Sequence, residues 1–355
     1  MTKQGDMIPQ DRYFAAANSG RGFKSYFEEL FFSEEIKRRY IIKGGPGTGK
    51  STLMRRLGER AEREGRKVSY YYCSSDTDSL DGVIIDARIA IFDGTAPHSY
   101  DTVLPGAVDE IIDLGRFWDT DALSAYADRI RRIAGSKKAC YSRAYRYLSS
   151  ALETSHALDL VAEPYRDREK MRAAVARICE RIPNGSCARI LPSIVSAIGT
   201  RGKVRFDSLE RRASKLYALC DSFGTAKIYL AELVERLLKK GCRVRVAYDP
   251  IDTDSIETVL IEESGECFFI CSDAGSLPDD AQKINMKRFV FADGVSAIRK
   301  EYRCAQKLYD AAMELAGTAL AESGKKHFEL EKIYTANMDF EALGAFVDIF
   351  FEKIK

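Results

Sequence analysis

Nine consecutive residues have the types and spacing of a phosphate-binding loop: Gly44-Gly45-Pro46-Gly47-Thr48-Gly49-Lys50-Ser51-Thr52. They fit the pattern G-x-x-x-x-G-K-[ST]. Its glycines let successive backbone N–H groups point into one concavity that binds phosphate oxygens. The Lys50 ammonium can reach the β- and γ-phosphates, and the Ser51 hydroxyl can hold Mg²⁺. The sequence therefore predicts that residues 44–52 bind a magnesium–nucleoside triphosphate.

The residues on either side of this loop predict the strand and the helix that such a site requires. A β-branched and aromatic run at 39–43 predicts a buried strand. Residues 50–64 place four apolar side chains on one helical face, and Gly65 marks the end of that helix. The helix N-terminus then adds partial positive charge beneath the phosphates. The alternative is a glycine-rich turn that matches the motif by chance. It does not account for the predicted strand before the loop and the predicted helix after it.

On these residues the chain resembles the P-loop nucleoside triphosphatases. The resemblance implies a doubly wound α/β core with Mg²⁺–ATP or Mg²⁺–GTP as the ligand. It does not specify the reaction, because one fold can host many activities.

Asp93 is the predicted acidic partner of Lys50 and Ser51, with a metal-binding and catalytic role. A P-loop site usually has an acid at the end of a neighbouring strand, which holds Mg²⁺, and Asp93 follows a strand predicted at 89–92. A simple turn residue is the alternative, since Asp-Gly is a common turn pair. Gly94 stands where many ATPases carry a glutamate that polarises water, which disfavours fast hydrolysis. An apolar residue followed by Asp-Gly also resembles the strand end of nucleoside monophosphate kinases.

Other polar residues near the predicted sheet edge have two interpretations. Asp76 and Asp78 follow a strand predicted at 67–73, at the edge where open α/β sheets bind ligands. They could contact a substrate or a second metal, or they could cap a short apolar helix predicted at 80–85. His98 could sense the γ-phosphate or transfer a proton, or it could be a turn residue.

Three segments of the first half recur in the second half in the same order. The pairs are 17–22 with 197–202, 40–53 with 217–230, and 76–85 with 252–261. Such self-similarity predicts two tandem copies of one α/β domain, at 1–183 and 184–355. Residues 107–181 have a mainly helical pattern, so helical additions are expected.

The second copy lacks the residues that the phosphate chemistry needs. Asp221, Ala226 and Ile228 replace the first glycine, the last glycine and the serine of the motif, and only Lys227 is retained. An aspartate would bring negative charge to the cradle, and isoleucine cannot hold Mg²⁺. We therefore expect only the first copy to bind nucleotide.

Composition limits the classes of partner. The chain has 355 residues, 45% of them hydrophobic and 30% charged, and a net charge of +2, which does not favour a general nucleic-acid or membrane binder. An arginine- and tyrosine-rich stretch at 125–158 could bind nucleic acid, but an amphipathic helix pair is the favoured interpretation. The start of the chain has no apolar signal segment, and the nine scattered cysteines favour reduced thiols. A cytoplasmic protein is expected.

The whole chain resembles a bacterial family of tandem P-loop proteins of this length, described as ATPase-like or nucleotide-kinase-like. The resemblance lies in the loop, the turn at 93–98 and the duplication. It implies an α/β fold of two tandem doubly wound P-loop domains with helical additions, and Mg²⁺–ATP as the ligand, with GTP also possible. A slow ATPase or ATP-dependent switch with a protein partner is the favoured function. The alternatives are a kinase for a small-molecule acceptor or a nucleotide, and a nucleotide-gated scaffold.

Overall fold

The computed structural model describes residues 11–96, 99–221, 223–271 and 277–354. The first half contains, in chain order, β1 (Asp11–Phe14), β2 (Ala16–Ser19), β3 (Gly22–Ser25), α1 (Phe27–Phe31), β4 (Arg38–Lys43), α2 (Lys50–Arg63), β5 (Val68–Tyr72), β6 (Leu80–Ile85), β7 (Ile89–Asp93), β8 (Asp109–Asp113), α3 (Thr120–Ala125), α4 (Ala127–Ala162) and α5 (Arg168–Arg181). The second half contains β9 (Arg189–Pro192), β10 (Ser196–Gly199), β11 (Gly202–Arg205), β12 (Lys215–Cys220), α6 (Thr225–Lys239), β13 (Arg243–Tyr248), β14 (Ile256–Ile261), β15 (Glu266–Cys271), β16 (Gln282–Asn285), α7 (Ala292–Thr335) and α8 (Phe340–Lys353).

Each half forms a six-stranded mixed sheet, so the predicted α/β class is confirmed. The strand orders are β1-β5-β6-β7-β4-β8 and β9-β13-β14-β15-β12-β16. Corresponding strands therefore occupy the same positions in the two sheets. In the first sheet β6 runs antiparallel to both of its neighbours, and the other neighbouring strands are parallel.

The helix predicted at 80–85 is wrong, because these residues form β6. All six of its residues are buried, so their continuous apolar pattern does not distinguish a buried strand from a buried helix. The connection from β5 is also too short for the crossover that a parallel strand needs, and it produces an antiparallel hairpin instead. Within the stretch expected to be mainly helical, residues 109–113 form the edge strand β8.

The last helix of each half packs on the sheet of the other half. Leu343 and Phe351 of α8 lie in one apolar core with Leu53 of α2. Met171 of α5 lies in a separate core with Leu230 of α6. The predicted boundary at 183/184 stays a prediction, and the last helix of each half, α5 or α8, packs in the core of the other half.

Two further apolar contacts join the halves. Ile41 and Phe92 of the first sheet share a buried cluster with Ala218 and Phe269 of the second. Helices α4 and α7 pack along their length, and Ile133 near the start of α4 meets Leu330 near the end of α7. The two helices are therefore antiparallel, and the end of α7 lies beside the first sheet. No helix in the described part of the chain is long and apolar enough to cross a membrane.

Candidate functional site

The predicted phosphate-binding loop joins β4 to α2, as its sequence requires. Gly47 and Gly49 have φ values of 69° and 85°, in the left-handed region that glycine tolerates best. Gly49 is the N-cap of α2, and the helix begins at Lys50. Ser51 and Thr52 therefore lie in the first turn, where backbone N–H groups and the helix dipole favour an anion.

Lys50 and Asp93 lie together at this edge of the sheet. The Lys50 ammonium donates to the carbonyl oxygens of Gly44 at 2.9 Å and Gly45 at 2.7 Å. Its Nζ lies 3.5 Å from Oδ2 of Asp93. The two meet because β7 pairs in parallel with β4, with Asp93 opposite Ile42, so that both strands end at the same edge. Sequence spacing alone predicted the pair, and the fold brings its two members into contact.

Thr95, which sequence reasoning did not select, connects the acid to the loop. Its backbone N–H donates to Oδ1 of Asp93 at 2.8 Å. Its hydroxyl donates to the Gly44 carbonyl oxygen at 2.9 Å and lies 3.2 Å from the Gly44 nitrogen as an acceptor. The Asp93 carboxylate is thereby oriented with respect to the first glycine of the loop. A threonine two residues after the acid is the only sequence signal for this contact.

Two hydroxyl groups of the loop also have defined partners. Thr48 Oγ1 donates to the Gly45 carbonyl oxygen at 2.8 Å. Ser51 Oγ accepts a hydrogen bond of 2.9 Å from the backbone N–H of Leu80. A hydroxyl oxygen has two lone pairs, so Ser51 retains capacity to bind a cation. The donor set therefore suits a magnesium–phosphate group: an ammonium, a hydroxyl, a carboxylate and a helix N-terminus.

The outer side of the loop is covered by the end of α7 and the start of α8. Thr335 Oγ1 donates to the Gly47 carbonyl oxygen at 3.0 Å. A Cβ atom on Gly47 would lie only 2.8 Å from the carbonyl oxygen of Glu331. A Cβ atom on Gly49 would lie 2.9 Å from Leu343. These glycines therefore serve packing as well as backbone conformation, which the motif alone did not predict.

A buried carboxyl lies near Lys50 and Asp93. Asp81 on β6 is only 5% exposed. Burial, and then the negative charge of Asp93, raise the pKa of Asp81 to about 8, although the Lys50 charge acts in the opposite direction. Asp81 is therefore mostly protonated at neutral pH.

Asp76 and Asp78 have structural partners. Asp76 accepts hydrogen bonds from the Ser79 hydroxyl at 2.7 Å and from the Asp78 backbone at 3.2 Å. Asp78 pairs with Arg201, whose Nη1 lies 3.0 Å from Oδ1. The predicted helix cap at this point is wrong, because a strand follows. His98 lies outside the described residues.

The Arg201–Asp78 ion pair has a counterpart in which the two halves are interchanged. Arg21 Nη1 lies 2.6 Å from Oδ2 of Asp254. Each arginine extends from the tight hairpin of one half to the acidic turn of the other half. The recurrence of these residues in both halves therefore has a structural explanation that does not require nucleotide.

Side chains of both halves engage the corresponding loop of the second half. Asp221 Oδ1 accepts the backbone N–H of Ala226 at 2.8 Å, in the first turn of α6. The Asp221 carboxylate thus accepts from one of the backbone N–H donors that a phosphate would need. Lys227 forms an ion pair with Asp159 of α4, and Arg166 donates to the Phe223 carbonyl oxygen at 2.5 Å.

At the position equivalent to Asp93, the second half carries Ile270 rather than an acid. Ile42 of β4 is opposite Asp93, and the corresponding Leu219 of β12 is opposite Ile270. Sequence comparison alone did not reveal this loss, because the alignment there depends on strand register. The second loop therefore lacks both metal-binding side chains predicted for the first.

Comparison with known families matches one segment of this region. Residues 24–84 are similar to the N-terminal region of nephrocystin 3. The segment includes β4, the complete loop, α2, β5 and most of β6. No curated protein and no solved structure gives a significant match.

Proposed function

We propose that this chain binds Mg²⁺–ATP at one site and hydrolyses it slowly, as an ATP-dependent switch. The observation that carries the proposal is the position of the Lys50 ammonium, between the carbonyl oxygens of the first loop glycines and the Asp93 carboxylate. We further propose that the two halves derive from one P-loop domain, and that the second has lost nucleotide binding.

Each side chain of the site has a role in this proposal. Lys50 contacts the β- and γ-phosphates, and the loop N–H groups bind their oxygens. Ser51 and Asp93 hold Mg²⁺, the latter through water ligands. When bound, the metal offsets negative charge that develops on the phosphates during transfer. Thr95 keeps the Asp93 carboxylate oriented by its backbone hydrogen bond.

Slow turnover is supported by the packing of Gly94. A Cβ atom at this position would collide with Ile41, whose side chain lies in the core between the two sheets. A glutamate therefore does not fit directly after Asp93 without a shift of the strand. The same feature favours a second candidate, a small-molecule or nucleotide kinase, because transfer to an acceptor does not require a group that polarises water.

A switch role is supported by the contacts between the loop and the other half of the chain. Thr335 bonds to Gly47, and Leu343 packs beside Gly49. A change in the loop on nucleotide binding or release would alter these contacts directly. Nucleotide-dependent ordering of contact segments is one known way to produce such a switch. The described contacts concern phosphate chemistry, so GTP remains an alternative ligand.

ATP turnover with Mg²⁺ tests the proposal, with ADP and free phosphate measured separately. The unmodified chain should release both at the same low rate, and Lys50→Ala should abolish this release. Lys227→Ala is the matched control and should retain it, because Lys227 is engaged by Asp159. ADP formation that depends on an added acceptor, without free phosphate, would support the kinase instead. Tight binding without turnover would support the scaffold.

A further inference from the structure

We propose that Lys137 of α4 supplies a second positive charge to the terminal phosphate of the nucleotide, and that His327 of α7 positions it. The inference rests on the proposed function and adds a residue from outside the P-loop motif. A lysine at this position would favour a nucleoside triphosphate over a diphosphate as the ligand.

A chain of side-chain contacts leads from the loop to Lys137. Glu331 lies against Gly47, where its backbone leaves no room for a side chain on the glycine. One helical turn away, His327 Nε2 lies 3.4 Å from Oε1 of Glu331. The other ring nitrogen of His327, Nδ1, lies 2.8 Å from the Lys137 ammonium. The imidazole thus holds Lys137 on the side of the loop that faces α4 and α7.

The charges of Lys137 and Lys50 both act on the Glu331 carboxylate. Burial lowers the pKa of Lys137, and the positive charge of Lys50 lowers it further, while Cys73 and Glu331 act in the opposite direction. Glu331 responds to both lysines: the hydrogen bond from His327 lowers its pKa most, and the charges of Lys50 and Lys137 add to this. Asp93 already lies beside Lys50, so Lys137 is the cation of this group that would be left for a terminal phosphate.

Lys137 has no carboxylate within ion-pair distance among the residues that the structure describes. A half-buried ammonium without a charged partner carries a desolvation cost. A terminal phosphate between Lys137 and Lys50 would offset that cost.

The second half lacks this arrangement. A single 3-10 turn directly follows the last strand of each sheet, at Leu114–Phe117 and at Met286–Phe289. Counting from these equivalent turns aligns Lys137 with Tyr309 and Glu331 with Asp159. Asp159 pairs directly with Lys227, and Arg166 adds a second cation 2.8 Å from Asp159. The additional lysine is therefore found only in the half whose loop retains the complete motif.

Equilibrium binding of a non-hydrolysable ATP analogue and of ADP, both with Mg²⁺, tests the inference. Lys137→Met should weaken binding of the analogue about tenfold, the scale of one charge-assisted hydrogen bond, and binding of ADP less than about twofold. Lys138→Met is the matched control, because Lys138 is the exposed neighbour on the same helix. It should change neither affinity.

His327→Ala tests the positioning role, and it should reduce the preference for the triphosphate in the same direction but less. Thermal unfolding of each variant shows whether the fold is retained. Equal losses for analogue and ADP, or no loss in Lys137→Met, would overturn the inference. In that case Lys50→Ala would still abolish binding of both nucleotides if the proposed function holds. If the unmodified chain binds neither nucleotide, the proposed function fails, and this inference fails with it.

Discussion

Thr335 donates its hydroxyl hydrogen to the carbonyl oxygen of Gly47 over 3.0 Å, although 288 positions separate them in the chain. The predicted phosphate-binding loop of the first half thus contacts the last helices of the second half. The contact is possible because α8 packs on the first sheet, and α5 packs on the second in exchange. The candidate site therefore depends on both halves, although its motif lies in one.

Gly47→Ala should destabilise the fold by more than about 2 kcal/mol. The position combines a φ of 69° with a space that Glu331 and Thr335 already occupy. Gly135→Ala is the control, because a Cβ atom at this exposed helical position of α4 meets nothing within 4 Å. That change should stabilise the chain by about 0.5–1 kcal/mol, as expected for alanine in an exposed helix. Chemical denaturation of both variants measures the difference, and similar effects would contradict the packing described.

Phe351→Ala should destabilise the chain by about 3–5 kcal/mol, the usual cost of removing a buried phenylalanine. Phe351 is fully buried, and the Arg60 guanidinium lies 4.0 Å from the centre of its ring. Ile349→Ala, on the same helix but 73% exposed, should change stability by less than about 0.5 kcal/mol. Urea denaturation curves compare the two. If neither variant were destabilised, α8 would not belong to the first core.

The reciprocal ion pairs should contribute little to stability. Arg201 and Asp78 are both more than half exposed, so solvent screens their attraction. A double-mutant cycle with Arg201→Ala and Asp78→Ala should give a coupling free energy of about 0.2–1 kcal/mol. Ionic strength should reduce this value. A coupling well above that range would mean that the pair is less exposed to solvent than described.

Asp81→Asn should change the pH dependence of stability. The raised pKa of Asp81 means that the folded chain keeps a proton that the unfolded chain releases above about pH 4. The contribution of this proton to the free energy of unfolding is complete below about pH 4, and it is lost as the pH rises through about 8.

Asparagine stays neutral at every pH. The free energy of unfolding of the variant should therefore rise by at least about 1 kcal/mol, relative to that of the original chain, between pH 6 and pH 9. The free energy of unfolding, measured at both pH values, checks this. Asp128→Asn, at an exposed carboxylate, should not change how the free energy of unfolding depends on pH. A parallel pH profile for Asp81→Asn and the original chain would show that Asp81 is ionised in the fold.

Local signals in the sequence predicted the elements around the loop. The strand expected at 39–43 is β4, and the helix expected at 50–64 is α2, with ends that differ by one residue. Periodicity and motif sufficed there because the chemistry of the loop requires that order of elements. The pattern at 80–85 failed, because complete burial removes the alternation that identifies a strand.

The remaining features depend on contacts that sequence spacing does not encode. Lys137 and His327 are 190 positions apart and meet only because α4 and α7 are antiparallel. The exchange of α5 and α8 depends on which apolar surfaces fit each sheet, and both helices have similar amphipathic patterns. The register that places Ile270 opposite Leu219 likewise becomes visible only in the paired strands.

The central claim is that one nucleotide binds, at the first loop only. Titration of the chain with ATP and Mg²⁺, followed by calorimetry, tests it most directly when Lys50→Ala and Lys227→Ala are measured alongside. We expect one site per chain, lost in Lys50→Ala and retained in Lys227→Ala. Two sites per chain, or a single site that survives Lys50→Ala but not Lys227→Ala, would contradict it.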